Sequence, residues 1–206
     1  MRRQTFQDFE TIVQRPSRTL PKGNFYDLNH DYNLAFKKSK GELIISYQDG
    51  IEIRPDCLQR FWEHFKTNPN AIVGAVGDQY SSFDPPVKTW IDPRRRVDQG
   101  TFYECMENDV EYTLCSIPRK ALFEVGGFDS DIYDKYAALA EKELSARMYK
   151  AGYKFFLEQS IEYMALKHER LFGKEEWDKH YFAGWPIYQQ HLREIENGTR
   201  LKLNYL

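Results

Sequence analysis

The chain has 206 residues, a formal net charge of −2 and three cysteines, Cys57, Cys105 and Cys115, with no CxxC pair among them. That length suits one domain with a small appendage. The charge gives no general pull toward nucleic acid, and scattered cysteines in odd number exclude a disulfide framework or a cysteine-built zinc site. No apolar run approaches a membrane span, and no apolar segment follows the basic residues at the start, so a cytoplasmic setting is expected, the cytoplasmic face of a membrane included.

In chain order, residues 9–13 read as a short strand. Residues 14–28 are rich in Pro, Gly and basic residues and read as loop. Residues 30–40 carry Tyr32, Leu34, Ala35 and Phe36 at helical spacing and stop at Gly41. LIISY, residues 43–47, has the apolar run of a strand buried on both faces. Pro55-Asp56 opens a helix with Leu58, Phe61, Trp62 and Phe65 on one stripe. Residues 71–76 form another short apolar strand, and this alternation argues for an α/β sheet with parallel order.

Residues 77–109 show little periodicity and carry Pro85-Pro86, Pro93 and the run Arg94-Arg95-Arg96; they read as a long surface excursion. A strand at 110–117 and a short helix at 118–125, ended by Gly126-Gly127, come next. A longer helix follows at 136–151 and a closing strand at 153–157. From Lys174 onward, Trp177, Tyr181, Trp185 and Tyr188 are spaced as a helix that packs back on the body.

Four groups could carry chemistry. Asp49 follows a buried strand directly, where ligands of open α/β sheets gather, and a carboxylate there suits a divalent cation. Asp49-Gly50 is equally a common turn pair. Glu141 falls with Ala137, Leu144 and Met148 on one helical stripe, with Glu143 pointing roughly the other way. Partial burial would raise its pKa toward the range of a general base, while an acid in a helix's first turn also needs no function. His168 stands in ALKHER as a lone histidine, more often a surface or core residue than a ligand. Arg94, Arg95 and Arg96 could grip phosphate or simply be solvated.

These segments together resemble family 2 glycosyltransferases, which have the GT-A fold. QTFQDFETIV resembles the second strand of that fold and the helix end before it. NLAFKKSKGE, from Asn33, resembles the Asn-x-Gly/Ala…Ser-x-Gly-Glu segment. LIISYQDGIEIRPDCL sits where the family has a strand, its Asp-x-Asp motif and a Pro-led helix. RKALFEVGGFD resembles the acceptor-side Gly-Gly-Phe-Asp segment, and AEKELSARMYKAGY the helix headed by a Glu-Asp pair. The likeness runs from about Gln4 to His168 and starts at the family's second strand. The acidic pair that reads the base is replaced by Gln14-Arg15-Pro16-Ser17, the triplet is reduced to Gln48-Asp49-Gly50, and the Glu-Asp pair is Ala140-Glu141.

What the resemblance implies is a Rossmann-like, GT-A-like α/β fold: a mixed, mostly parallel sheet flanked by helices in a single domain. Residues 1–76 would form the donor side, 77–173 the acceptor side, and 174–206 a helical, aromatic-rich extension. The implied activity moves a sugar from a nucleotide-diphosphate donor to an acceptor hydroxyl with inversion. Glu141 would be the base; Arg15, Asn33, Gln48, Asp49 and Gly50 would hold the donor. Asp49 and His168 would hold Mn²⁺ or Mg²⁺. Arg94, Arg95, Arg96, Gly126, Gly127 and Asp129 would shape the acceptor side. The acceptor would be a glycan, a lipid-linked glycan or a protein, and exposed sheet edges allow a homodimer. The thinned motifs also allow a GT-A domain without catalysis that acts as a binding or scaffold protein.

Overall fold

The computed structural model describes residues 4–14, 28–136, 139–167 and 173–206. In chain order its elements are α1 (Leu28–Lys38), β1 (Leu43–Tyr47), β2 (Ile51–Ile53), α2 (Cys57–Thr67), β3 (Ala71–Phe83), β4 (Pro86–Trp90) and β5 (Phe102–Glu104). There follow β6 (Leu114–Pro118), α3 (Arg119–Val125), α4 (Ser130–Tyr133), α5 (Ala140–Lys150), β7 (Lys154–Leu166) and α6 (Lys174–Glu196). The chain divides into two compact units. The first comprises the described residues of Met1–Phe9, Leu43–Pro118 and Lys154–Glu169; the second, those of Glu10–Glu42, Arg119–Tyr153 and Arg170–Leu206.

The first unit holds a seven-stranded mixed sheet in the order β1-β6-β3-β7-β2, with β4 on β3 and β5 on β7. Parallel order is found where β3 runs beside β7; the other pairings are antiparallel. β3 and β7 are 13 residues each, and their register shifts once: Ala75 faces Glu158, and Val76 faces Glu162. Such a bulge bends the bulged strand and turns its later residues to new neighbours. The first eight residues of β3 are buried, as expected of a central strand covered on both faces. Cys57 and Phe61 of α2 join Val73, Ala75, Leu114, Ile161 and Tyr163 in the core. Phe65 and Phe6 lie against Trp62, at 5.4 and 5.7 Å between ring centroids.

Several expected boundaries shift, for physical reasons. Residues 9–13 form no strand; Phe9 and Val13 are exposed, so the apolar alternation there serves no buried face. The expected excursion at 77–109 begins as ordered strand: β3 continues to Phe83 and returns as β4 through the Asp84-Pro85 turn. Five exposed residues in β4 leave no burial pattern to read. The closing strand runs on to Leu166 as β7. β2, only three residues long, falls below what periodicity can detect.

The second unit is helical. α5 packs on α3 and α6, and α1 packs on α4. Asp134 receives the amides of Asn29 and His30 at 3.0 and 3.2 Å, satisfying the open N–H groups at the start of α1. α6 buries Gly184, Tyr188, His191 and Ile195, while Phe182 and Trp185 stay exposed. After α6 the chain lies along the turn that follows α3: Leu203 N–H donates to Val125 at 3.0 Å, and Tyr205 N–H to Gly126 at 3.2 Å.

Gly126 has φ 80°, and a Cβ there would lie 1.7 Å from the Leu203 carbonyl oxygen. Gly152 has φ 94° but open space around it. Gly152→Ala should therefore cost only the left-handed penalty, about 1–2 kcal/mol. Gly126→Ala should cost about 1–3 kcal/mol more, because backbone must move. Urea midpoints of the two variants check this difference.

Candidate functional site

The turn after β1 is held at both ends. Gln48 N–H donates to the Thr113 carbonyl at 3.0 Å, and the Thr113 hydroxyl donates to Gln48 Oε1 at 3.3 Å. The Gly50 carbonyl accepts from Leu166 N–H at 2.9 Å, and Tyr47 donates its hydroxyl to the Ile51 carbonyl at 2.6 Å. Gly50 has φ 71°, a value glycine adopts without strain. Between these anchors Asp49 is exposed. Asp49-Gly50 is thus a true turn, and the turn lifts a carboxylate into solvent just past a strand end.

Among the described residues no three His, Cys, Asp or Glu side chains gather as a metal-binding group. His168, the expected second ligand, and Arg15, expected at the donor, lie outside the described residues. Asp49 by itself fits a divalent cation of the kind held by one or two carboxylates and a bound diphosphate, not one caged by protein.

The arginine run is committed within the first unit. Asp92, almost fully buried, accepts from Arg94 Nη2 at 2.5 Å and Nε at 2.9 Å, and from Gly77 N–H at 2.9 Å. Arg94 Nη1 also reaches the Asp109 carbonyl at 3.0 Å. Arg95 binds Glu162 at 2.7 Å and Asp78 at 3.3 Å, and Lys88 meets Asp78 at 2.5 Å. Arg96 is exposed, its N–H donating to Gln159 Oε1 at 2.7 Å. Burial pushes the Asp92 carboxyl up, but the hydrogen bonds from Arg94 and from Gly77 outweigh it and leave it below the ordinary range. Asp78 is likewise lowered: burial opposes, and bonds from Lys88, Asp92 N–H and Arg95 prevail. Arg94 and Arg95 therefore pin this loop to the sheet.

The second unit brings other expected residues together. The Asn33 amide donates to the Phe128 carbonyl at 2.8 Å, and its oxygen accepts from Phe128 N–H at 2.9 Å. Asn33 thereby clamps the turn formed by Gly126, Gly127 and Asp129. Asp129 is buried and accepts from Ile132 N–H at 3.3 Å, from the Tyr205 hydroxyl at 3.0 Å and from Arg200. Its oxygens are engaged within the protein.

Glu141 lies half-buried in the first turn of α5. α5 buries Leu144 and Met148 of the expected stripe, and it also turns Glu143, expected on the other side, fully inward. Glu143 holds Arg147, also fully buried, at 2.8 and 3.0 Å, and accepts from Arg200 Nε at 2.9 Å. Arg147 further donates to the carbonyls of Val125 at 2.5 Å and Gly127 at 2.6 Å. Residues two apart sit about 200° around a helix, so Glu143 and Glu141 stand on different faces of α5, and the helix is buried on the Leu144 face as well as on the Glu143 face. Apolar periodicity cannot see a carboxylate whose charge is compensated. The spacing of Glu143 and Arg147, four apart, was the available signal.

No protein-family model and no curated protein matches the chain by sequence. Among solved structures it is similar to the crystal structure of GalNAc-T7 with UDP, GalNAc and Mn²⁺. The TM-score is 0.55 at 12% sequence identity, covering 86% of this chain and 41% of that one. The fold is GT-A-like.

Within that fold, Asp49 belongs to the sheet unit and Glu141 to the helical unit. Sequence reasoning missed the carboxylates that hold the GT-A-like frame, Asp78, Asp92 and Glu143, because each is buried against cations, and an apolar pattern does not show that burial even where the cation is two or four residues away, as Arg94 and Arg147 are. A lowered carboxyl stabilises the fold fully above its unfolded value, about 3.9, and loses that contribution as pH falls through its folded value. Asp92→Asn should cost about 3–5 kcal/mol at pH 7, since Arg94 is left without its buried partner. Between pH 5 and pH 3 the variant should also lose less stability than the wild type. Urea unfolding across that range measures both.

Proposed function

We propose that the chain transfers a sugar from a nucleotide-diphosphate donor to an acceptor hydroxyl, with inversion. The observation that carries this reading is the GT-A-like fold, similar to a structure that holds UDP and Mn²⁺, with Asp49 exposed just past β1. In this reading Asp49 and His168 would hold Mn²⁺ or Mg²⁺ for the donor diphosphate. A divalent ion so held would neutralise charge on the leaving diphosphate. Gly50 lets backbone come close to the phosphates, and Gln48 and Arg15 line the donor side.

Glu141 takes the proton of the acceptor hydroxyl as its oxygen bonds to the anomeric carbon. The bond from that carbon to the phosphate oxygen breaks, and the nucleoside diphosphate leaves with the electron pair. Arg96, the exposed member of the arginine run, would meet the acceptor. Gly126, Gly127 and Asp129 would shape the acceptor side through the turn after α3; Asn33, expected at the donor, has its amide committed to Phe128, and Arg94 and Arg95 are committed to their own loop. Glycan, lipid-linked and protein acceptors all present the required hydroxyl. Among the described residues no helix is long and apolar enough to cross a membrane.

A second reading, a GT-A-like domain that binds without catalysing, is favoured by the thinned motifs, the triplet being reduced to Gln48-Asp49-Gly50 and the Glu-Asp pair to Ala140-Glu141. A panel of nucleoside diphosphates and nucleotide sugars, with and without Mn²⁺, separates the two. One nucleotide should raise the melting temperature in a metal-dependent way, equivalent to about 2.7 kcal/mol at a hundredfold excess over Kd. Glu141→Gln should lower kcat about 10²–10⁴-fold, and Asp49→Ala should abolish the metal-dependent part of the shift. Transfer at wild-type rates by both variants overturns the mechanism, and stabilisation by a nucleotide sugar without any turnover favours the second reading.

A further inference from the structure

We propose that Arg200 is a positioning residue that sets how α5 presents Glu141; this rests on the reading of Glu141 as the base. Glu141 and Glu143 are two residues apart on α5, so their directions are locked together by the helix. Whatever fixes Glu143 in its surroundings fixes the roll of α5 and the direction of Glu141.

Glu143 is gripped from two sources. Arg147 comes from α5 itself and ties the helix to the Val125 and Gly127 carbonyls. Arg200 comes from beyond α6 and divides its guanidinium between Glu143 and Asp129. Asp129 in turn caps α4, accepting from Ile132 N–H. A single side chain thus bridges α5 to the turn after α3.

The segment carrying Arg200 is built into place at both ends. Thr199 and Arg200 direct their N–H groups at the Glu194 carbonyl, at 2.9 and 3.2 Å. Beyond Arg200, Leu203 and Tyr205 pair with Val125 and Gly126, and the Tyr205 hydroxyl joins Arg200 on Asp129. A Cβ on Gly127 would fall 2.8 Å from the Leu206 side chain, so the segment lies directly against the turn.

Charge accounting makes Arg200 the component to change. Glu143 and Asp129, 0% and 4% exposed, are matched by Arg147 and Arg200. Arg200 is 15% exposed and lies at the rim of this cluster. A lysine keeps the charge but has no planar fork, so it serves one carboxylate and releases the other. The fold would survive while α5 gains freedom to roll.

The test uses the full chain carrying Arg200→Lys, with Lys202→Gln, at an exposed position, as control. With the nucleotide sugar and Mn²⁺ pair selected by the thermal panel, the lysine variant should keep its donor KM within twofold and lose about tenfold or more in kcat. The acid limb of its kcat/KM profile against pH should shift, because the surroundings of the base change. The control should match the wild type. Tyr205→Phe, which removes one bond to Asp129, should give a smaller loss in kcat and remains informative if the lysine variant does not fold. Hydrogen exchange supplies a readout independent of turnover: amides of 142–147 should exchange faster in the variant, and those of 72–76 in β3 should not. An unchanged kcat, or α5 exchange equal to wild type, overturns the proposal. If the wild type transfers no sugar, the base reading falls, and exchange alone then decides whether Arg200 holds α5.

Discussion

A guanidinium with no exposure to solvent is the fixed point of the helical unit. Arg147 spends four of its five N–H groups on Glu143 and on the carbonyls of Val125 and Gly127. Moving an ion pair out of water costs more than its Coulomb attraction returns unless the remaining hydrogen-bonding capacity is also used. Here the carbonyls after α3 use it on the arginine side, and Arg200 uses it on the glutamate side. The position of α5, the shape of the Gly126-Gly127 turn and the path of the chain after α6 all follow from satisfying that one pair.

The sheet unit solves a related problem with the signs reversed. Asp78 and Asp92 are the buried members, and the cations come to them from Lys88, Arg94 and Arg95. This turns a proline-rich, arginine-rich stretch into an ordered ribbon and loop. It also sorts the charged residues by role. Carboxylates whose oxygens are engaged by several donors hold structure, as Asp92, Asp129 and Glu143 do. Asp49, raised into solvent by an anchored turn, is left open to an incoming ligand.

That sorting narrows the chemistry the chain can offer. An exposed Asp49 at a strand end provides oxygen ligation suited to a shared cation and diphosphate, not to a closed metal cage. Glu141 contributes a half-buried carboxylate from a helix held through Glu143 and Arg147. In the proposed reading of Glu141 as the base, such rigidity would serve catalysis, since a base held near its reacting geometry needs little reorganisation.

The sequence by itself determined the α/β class, the strand LIISY, the apolar stripe of α2 and the placement of Asp49 directly after a strand. Each is a local matter of periodicity or turn chemistry, legible in a window of a few residues. It carried the 143–147 spacing too, but not its burial. Only the tertiary structure decided that β3 and β7 run long beside each other, that Arg94 and Arg95 serve Asp92 and Asp78, and that Glu143 is the inward carboxylate. The reason is the same in each case. A buried charge is tolerated only when partners reach it, from nearby as Arg94 reaches Asp92 or across 57 residues as Arg200 reaches Glu143, and no apolar pattern records which charged pairs the fold will bury.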